Sequence, residues 1–170
     1  GNIGLFSRIA SNKGIPTVCF DNDPLAIEKN YLEIKQKNEK NILPILLDLT
    51  NPSTDIGWQN NERDSFLKRG PAELVMALAL VHHIAISNNV PLELIAEFFS
   101  RFTKKLIIEF VPKSDTQVKR LLATREDVFF EYDKKNFEKQ FEKFFNILDQ
   151  KEIKESERTI YYMENKISFN

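Results

Sequence analysis

The sequence predicts an α/β fold built on a doubly wound, mostly parallel sheet, and three observations carry that expectation. Short apolar runs rich in β-branched residues alternate with helix-period segments over most of the 170 residues. The runs stop at polar clusters, as strands buried on both faces do. The last two runs have no full crossover helix between them, so they form a C-terminal antiparallel hairpin at one edge.

Residues 1–10 read as a tight turn passing into a helix whose apolar side holds Leu5, Phe6 and Ile9, with Gly14 ending it. Residues 15–20 read as a buried strand leaving through Asp21, Asn22, Asp23 and Pro24. Asp23 caps the next helix, with Pro24 in its first turn. That helix covers residues 24–37 and packs through Leu25, Ile27, Tyr31, Leu32 and Ile34. Residues 42–47 make the next strand, which exits at Asp48. Residues 50–72 have no sustained apolar period and contain Pro52, Gly57, Trp58, Arg63, Gly70 and Pro71; a loop of that length in a compact domain is usually functional or mobile. Residues 74–81 are almost unbroken apolar and read as a central strand covered on both faces, with His82 and His83 at its exit. A helix over 91–102, a strand over 106–111, helices over 114–124 and 136–145, and β-rich segments over 145–153 and 158–163 complete the chain.

The bulk composition bounds the function. Lys and Arg number 24 against 25 Asp and Glu, so no global positive field draws in nucleic acid, although a local basic groove stays open. The one cysteine, Cys19, lies in an apolar run outside any metal-ligand spacing, which implies a core residue, a reducing compartment and no metal. No stretch approaches the roughly 20 apolar residues that span a bilayer. The reading is one soluble cytoplasmic domain with no membrane partner, and nothing in the sequence speaks to oligomeric state.

In such sheets ligands bind beyond the C-terminal strand ends. The turn Gly1-Asn2-Ile3-Gly4 opens into a helix, where missing Cβ atoms let a ligand approach the backbone. Asp21 follows 17 residues beyond Gly4, near the spacing that sets an acid against paired ribose hydroxyls. Asp48 closes the third exit.

Glycine turn, Asp21-Asn22-Asp23-Pro24 and Leu47-Asp48-Leu49 together resemble the class I S-adenosylmethionine-dependent methyltransferase family. The run from Glu73 to His83 looks like that family's fourth strand, and Ile107-Ile108-Glu109-Phe110-Val111-Pro112 like its fifth. Asn51-Pro52-Ser53, Arg69-Gly70-Pro71-Ala72 and Ser87-Asn88-Asn89-Val90-Pro91 are similar to a bacterial, nodulation-protein-like subgroup. The resemblance implies S-adenosyl-L-methionine as cofactor, with Gly1, Asn2 and Gly4 at its methionine end, Asp21 with Asn22 at the ribose, and Asp48 with Leu49 near the adenine. It also implies a strand ahead of Gly1 that this chain lacks, so the sheet is expected to miss its central first strand and the protein to extend N-terminally.

A base for the acceptor would come from His82, His83 or Glu109, each with a plain structural alternative in packing, capping or ion pairing. Trp58 and Arg63 are candidate acceptor contacts, with Phe66 and Arg69 in the same loop. A nicotinamide oxidoreductase is the first competing reading, but the third glycine of that pattern is absent, its position being Ser7. A noncatalytic scaffold is the second. No Asn-Pro-Pro-Tyr motif follows the fourth strand and no Pro-Cys nucleophile is present, which points by elimination to a small molecule or carbohydrate as the acceptor and leaves an RNA or protein acceptor open.

Overall fold

The computed structural model describes residues 1–169 and divides into two compact units, Gly1–Ser53 and the chain from Thr54 onward. In the first, α1 (Leu5–Ser11), β1 (Thr17–Asp21), α2 (Pro24–Lys37) and β2 (Ile42–Leu46) follow one another. β1 and β2 pair in parallel, Thr17 opposite Ile42 through Asp21 opposite Leu46. Asp23 caps α2 by accepting from the Leu25 amide at 2.9 Å, and Pro24 takes the first turn, where its missing N–H costs nothing. Asn38 ends the helix in the left-handed conformation.

The apolar sides assigned to these helices need correction. Leu5, Phe6 and Ile9 are 68, 52 and 60% exposed, while Ser7 and Ser11 are the buried residues of α1. On α2, Leu25, Tyr31 and Leu32 face out, and Ala26, Asn30 and Ile34 face in. Periodicity marked a stripe correctly as apolar, but what covers a stripe is a tertiary fact. The core of this unit is small, formed by Cys19, Ile34 and Ile42.

The second unit holds β3 (Ala72–Ala77), α3 (Leu92–Ser100), β4 (Thr103–Phe110), α4 (Thr116–Leu122), α5 (Lys134–Phe141), β5 (Phe145–Glu152) and β6 (Thr159–Asn165). Its sheet runs in the order β3-β4-β6-β5. β3 pairs with β4 in parallel, β4 with β6 antiparallel, and β5 with β6 in the antiparallel hairpin that the sequence predicts. The α/β class and strand sequence are as expected. β3 differs in detail: it stops at Ala77 rather than at 81, and Leu74 and Met76 are exposed because β3 lies at an edge of this sheet rather than within it.

This unit has a large core in which Phe99, Phe102, Phe110, Phe137, Phe141, Phe145 and Tyr161 meet Leu106, Ile108 and Met163. Phe137 packs in tilted geometry among Phe110, Phe141 and Tyr161 at centroid distances of 5.1, 4.3 and 5.2 Å. Each fully buried ring contributes roughly 1.5–3 kcal/mol, so the aromatic set dominates the stability of the unit. The long segment ahead of β3 is ordered by short-range bonds: Ile56 and Arg63 form a β-bridge, and Asp55 accepts from the Ser65 amide at 2.7 Å and pairs with Lys68.

Candidate functional site

In the first unit the residues singled out at the strand exits converge. The Gly4 amide donates to the Gly1 carbonyl at 3.0 Å, closing the turn, with Asn2 and Gly4 at positive φ of 47° and 82°. Both glycines are required by space. A Cβ on Gly4 would stand 2.6 Å from Asn30 Oδ1 and 2.8 Å from Arg8 Nη1, and one on Gly1 would stand 2.4 Å from Cys19 Sγ. The turn therefore lies directly on β1 and α2.

Asp21 stitches that turn to the end of β1. Its Oδ2 accepts from the Asn2 amide at 2.6 Å and lies 3.2 Å from the Gly1 nitrogen, while Oδ1 accepts from the Asp23 amide at 2.9 Å. Partial burial works against the charged form, but the hydrogen bonds from the Asp23 and Asn2 amides outweigh it, and the pKa is lowered. Each carboxylate oxygen has about two acceptor sites, so Oδ1 keeps capacity for a further donor. Asp48 sits at the exit of β2, its Oδ1 accepting from the Thr50 hydroxyl at 2.7 Å and the Thr50 amide at 2.8 Å, which hold its pKa low. Asn22 and Leu49 occupy the exits beside these acids.

Asn30, which the sequence reading did not single out, is fully buried beside Gly4, and neither of its amide atoms has a hydrogen-bond partner. Arg8 spans this unit by donating to Glu39 at 2.9 Å and to the Ile3 carbonyl at 2.6 Å. The turn thus rests on side chains from both helices.

The second unit gathers a different set at the ends of β3 and β4. After Ala77 the backbone turns through Ala79 at φ 49°, then enters a π-helical turn, His83–Ser87. Such turns are frequent at functional sites. The imidazoles of His82 and His83 pack with centroids 4.2 Å apart. His82 is 1% exposed and its Nδ1 has no partner; burial first, then His83 and Arg158, push its pKa down to about 4. His83 reaches solvent, with partial burial lowering its pKa.

Glu109 is 5% exposed, accepting from the Ala79 amide at 2.6 Å and pairing with Arg158 at 3.2 Å. Arg158 also binds Asp115 through Nε at 2.7 Å and Nη2 at 3.1 Å. Its guanidinium holds Asp115 below the usual carboxylate range. Tyr132, buried nearby in the electrostatic field of both acids, donates to the Val111 carbonyl at 2.8 Å, and burial raises its pKa. Asp115, Tyr132 and Arg158 carried no signal in the sequence, since each gains its meaning from partners many residues away.

Trp58 is 78% exposed and Arg63 is exposed beyond its backbone bridge to Ile56. Among the described residues no group of three or more His, Cys, Asp or Glu is arranged to hold a metal ion, and no helix is long and apolar enough to cross a membrane.

No family model matches the chain. It is 39% identical over 164 residues to the nodulation protein NoeA of Rhizobium meliloti (strain 1021), a match covering 96% of this chain and 34% of that protein, so the chain spans about a third of the length of this curated relative. Among solved structures, the bifunctional kinase-methyltransferase WbdD superposes with a TM-score of 0.62 at 14% identity, covering 96% of this chain and 33% of WbdD. The magnesium protoporphyrin IX methyltransferase ChlM from Synechocystis PCC 6803, solved with bound S-adenosylhomocysteine, gives 0.62 at 14% identity, covering 97% and 70%. The fold is therefore that of the class I methyltransferases, and by sequence the chain is similar to a nodulation protein.

Proposed function

We propose that the chain binds S-adenosyl-L-methionine and transfers its methyl group to an acceptor, a small molecule or carbohydrate. The observation that carries this reading is the Gly1–Gly4 turn tied by Asp21 to the end of β1. It is a backbone cradle that a Cβ would fill, with an ionised acid beside it. In this reading Gly1, Asn2 and Gly4 border the methionine end, Asp21 with Asn22 takes the ribose hydroxyls, and Asp48 with Leu49 lies toward the adenine. ChlM, of the same fold, binds this cofactor in its product form.

When bound, the sulfonium supplies an electrophilic methyl group that needs an aligned nucleophile and little water. The chain's own task is then to orient and to manage one proton. Of the three candidate bases, His83 faces solvent, with its lowered pKa keeping it unprotonated at neutral pH. His82, whose ring packs against that of His83, and Glu109 are both enclosed. Trp58 and Arg63 offer an exposed ring and guanidinium for an acceptor. We take the chain to be one methyltransferase domain.

Calorimetric titration with S-adenosylmethionine, S-adenosylhomocysteine and NAD tests this reading. Binding of both sulfur ligands without NAD is expected. Binding of NAD with no response to either sulfur ligand would return the site to the oxidoreductase class.

A further inference from the structure

We propose that Glu109 is a positioning residue whose carboxylate clamps the left-handed turn at Ala79, with Arg158 and Asp115 holding the clamp, so that this group of side chains fixes where β3 delivers His82 and His83. The inference rests on the methyl-transfer reading only for the use it gives the histidines.

Ala79 adopts φ 49°, a conformation that a Cβ disfavours and that persists in an L-residue only where the surroundings impose it. What imposes it is visible. The Ala79 amide donates to Glu109 Oε2 at 2.6 Å, a charge-assisted bond reaching across from the neighbouring strand. The other oxygen of Glu109 is held by Arg158 Nη1 at 3.2 Å, and the remaining guanidinium donors close on both oxygens of Asp115. Asp115 is anchored in turn, because its Oδ1 caps α4 at the Gln117 amide at 2.8 Å. The chain of bonds thus joins the start of α4, the approach to β6, the end of β4 and the exit of β3. The next residue, Leu80, accepts through its carbonyl from the His83 amide at 3.0 Å and the Ile84 amide at 3.2 Å, starting the helical segment that bears both histidines. The direction of that segment is set at Ala79. Glu109 has both oxygens engaged and is nearly enclosed, which suits holding a backbone better than exchanging protons with an acceptor.

The chain has two histidines, so an imidazole nitrogen NMR titration of the full chain reads both without ambiguity. Around His82 the charged and titratable groups are His83, Arg158 and Asp115, with Glu109 and Tyr132 in the same cluster. In Glu109→Gln the amide has one acceptor atom for two donors, the Ala79 N–H and Arg158, so the clamp opens at one end. A purely electrostatic role for Glu109 would lower the His82 midpoint further, because an anion is removed. Loosening the turn admits water and raises that midpoint by about one pH unit. The clamp predicts the rise, and it predicts that adding Ala79→Gly, which adopts the turn unaided, returns the wild-type midpoint. A fallen or unchanged midpoint in Glu109→Gln overturns the proposal. Should Glu109→Gln alone not fold, recovery of a folded chain by Ala79→Gly supports the clamp and failure to recover it overturns it. S-adenosylhomocysteine titration of the wild type runs alongside: loss of that response counts against methyl transfer and leaves the clamp test intact.

Discussion

The two units carry polar chemistry on very different supports. In the first, a core of Cys19, Ile34 and Ile42 underlies a turn and two strand exits, and the candidate ligand groups are backbone amides and short acids at the surface. In the second, interlocked aromatic rings enclose the sheet, and the polar groups at its strand ends are partly or wholly withdrawn from water and bound to one another. A nucleoside is recognised by groups that keep spare hydrogen-bonding capacity, and those belong to the first unit. The second unit spends its side-chain bonds on holding geometry, which is what an acceptor site needs if alignment carries the reaction.

The contrast can be broken most forcefully in the aromatic core. Phe137→Ala is expected to destabilise the second unit by about 3–5 kcal/mol, read as a shift in the denaturant midpoint, because a fully buried ring leaves a cavity among three others. A cost below about 1 kcal/mol would mean that the rings are not the main support.

His82 gives the next effect, and its sign follows from its pKa of about 4 in the folded chain against about 6.5 unfolded. Above pH 6.5 both states leave it neutral and its contribution is constant. As pH falls from 6.5 to 4 the unfolded state takes up the proton first, and stability falls by about 3 kcal/mol in total. The difference between wild type and His82→Gln, measured by denaturation across that window, should show this loss in the wild type alone.

For the first unit, Asp21→Ala should weaken S-adenosylhomocysteine binding by about 1.5–3 kcal/mol, with the loss of its bonds to the Asn2 and Asp23 amides loosening the turn locally. Its lowered pKa keeps it ionised down into the usual carboxylate range, so calorimetry should find its contribution unchanged between about pH 5 and 8. The smallest effect is expected on α1. Ile9→Ser should change stability by no more than about 0.5 kcal/mol, since Ile9 is largely exposed; a large loss would show that the exposed stripe is packed after all.

How much of this was legible in the sequence follows the same division. Gly1, Gly4, Asp21, Asp23 and Pro24 announce themselves because turns and caps are local, and a residue type with a spacing is enough to find them. The succession of strands and helices and the C-terminal hairpin were legible for a related reason, as alternation and connection length decide them, whereas the edge position of β3 was not. Glu109 stood out as an acid at a strand exit, yet its partner Arg158 lies 49 residues away and Ala79 looked like one more apolar residue in a strand. The strand seemed to run through Ala79 because apolar composition does not record a left-handed φ. Asn30 likewise shows its unpaired amide only once Gly4 lies against it. The apolar stripe of α1 misled for the opposite reason, since a local pattern was taken to imply a distant cover.

Amide hydrogen exchange with and without S-adenosylhomocysteine tests most directly whether the first unit's strand exits read the cofactor. The account predicts added protection in residues 1–4, 21–23 and 48–50, with the core strands of the second unit unchanged. Binding of the ligand with no added protection in any of those three segments would contradict it.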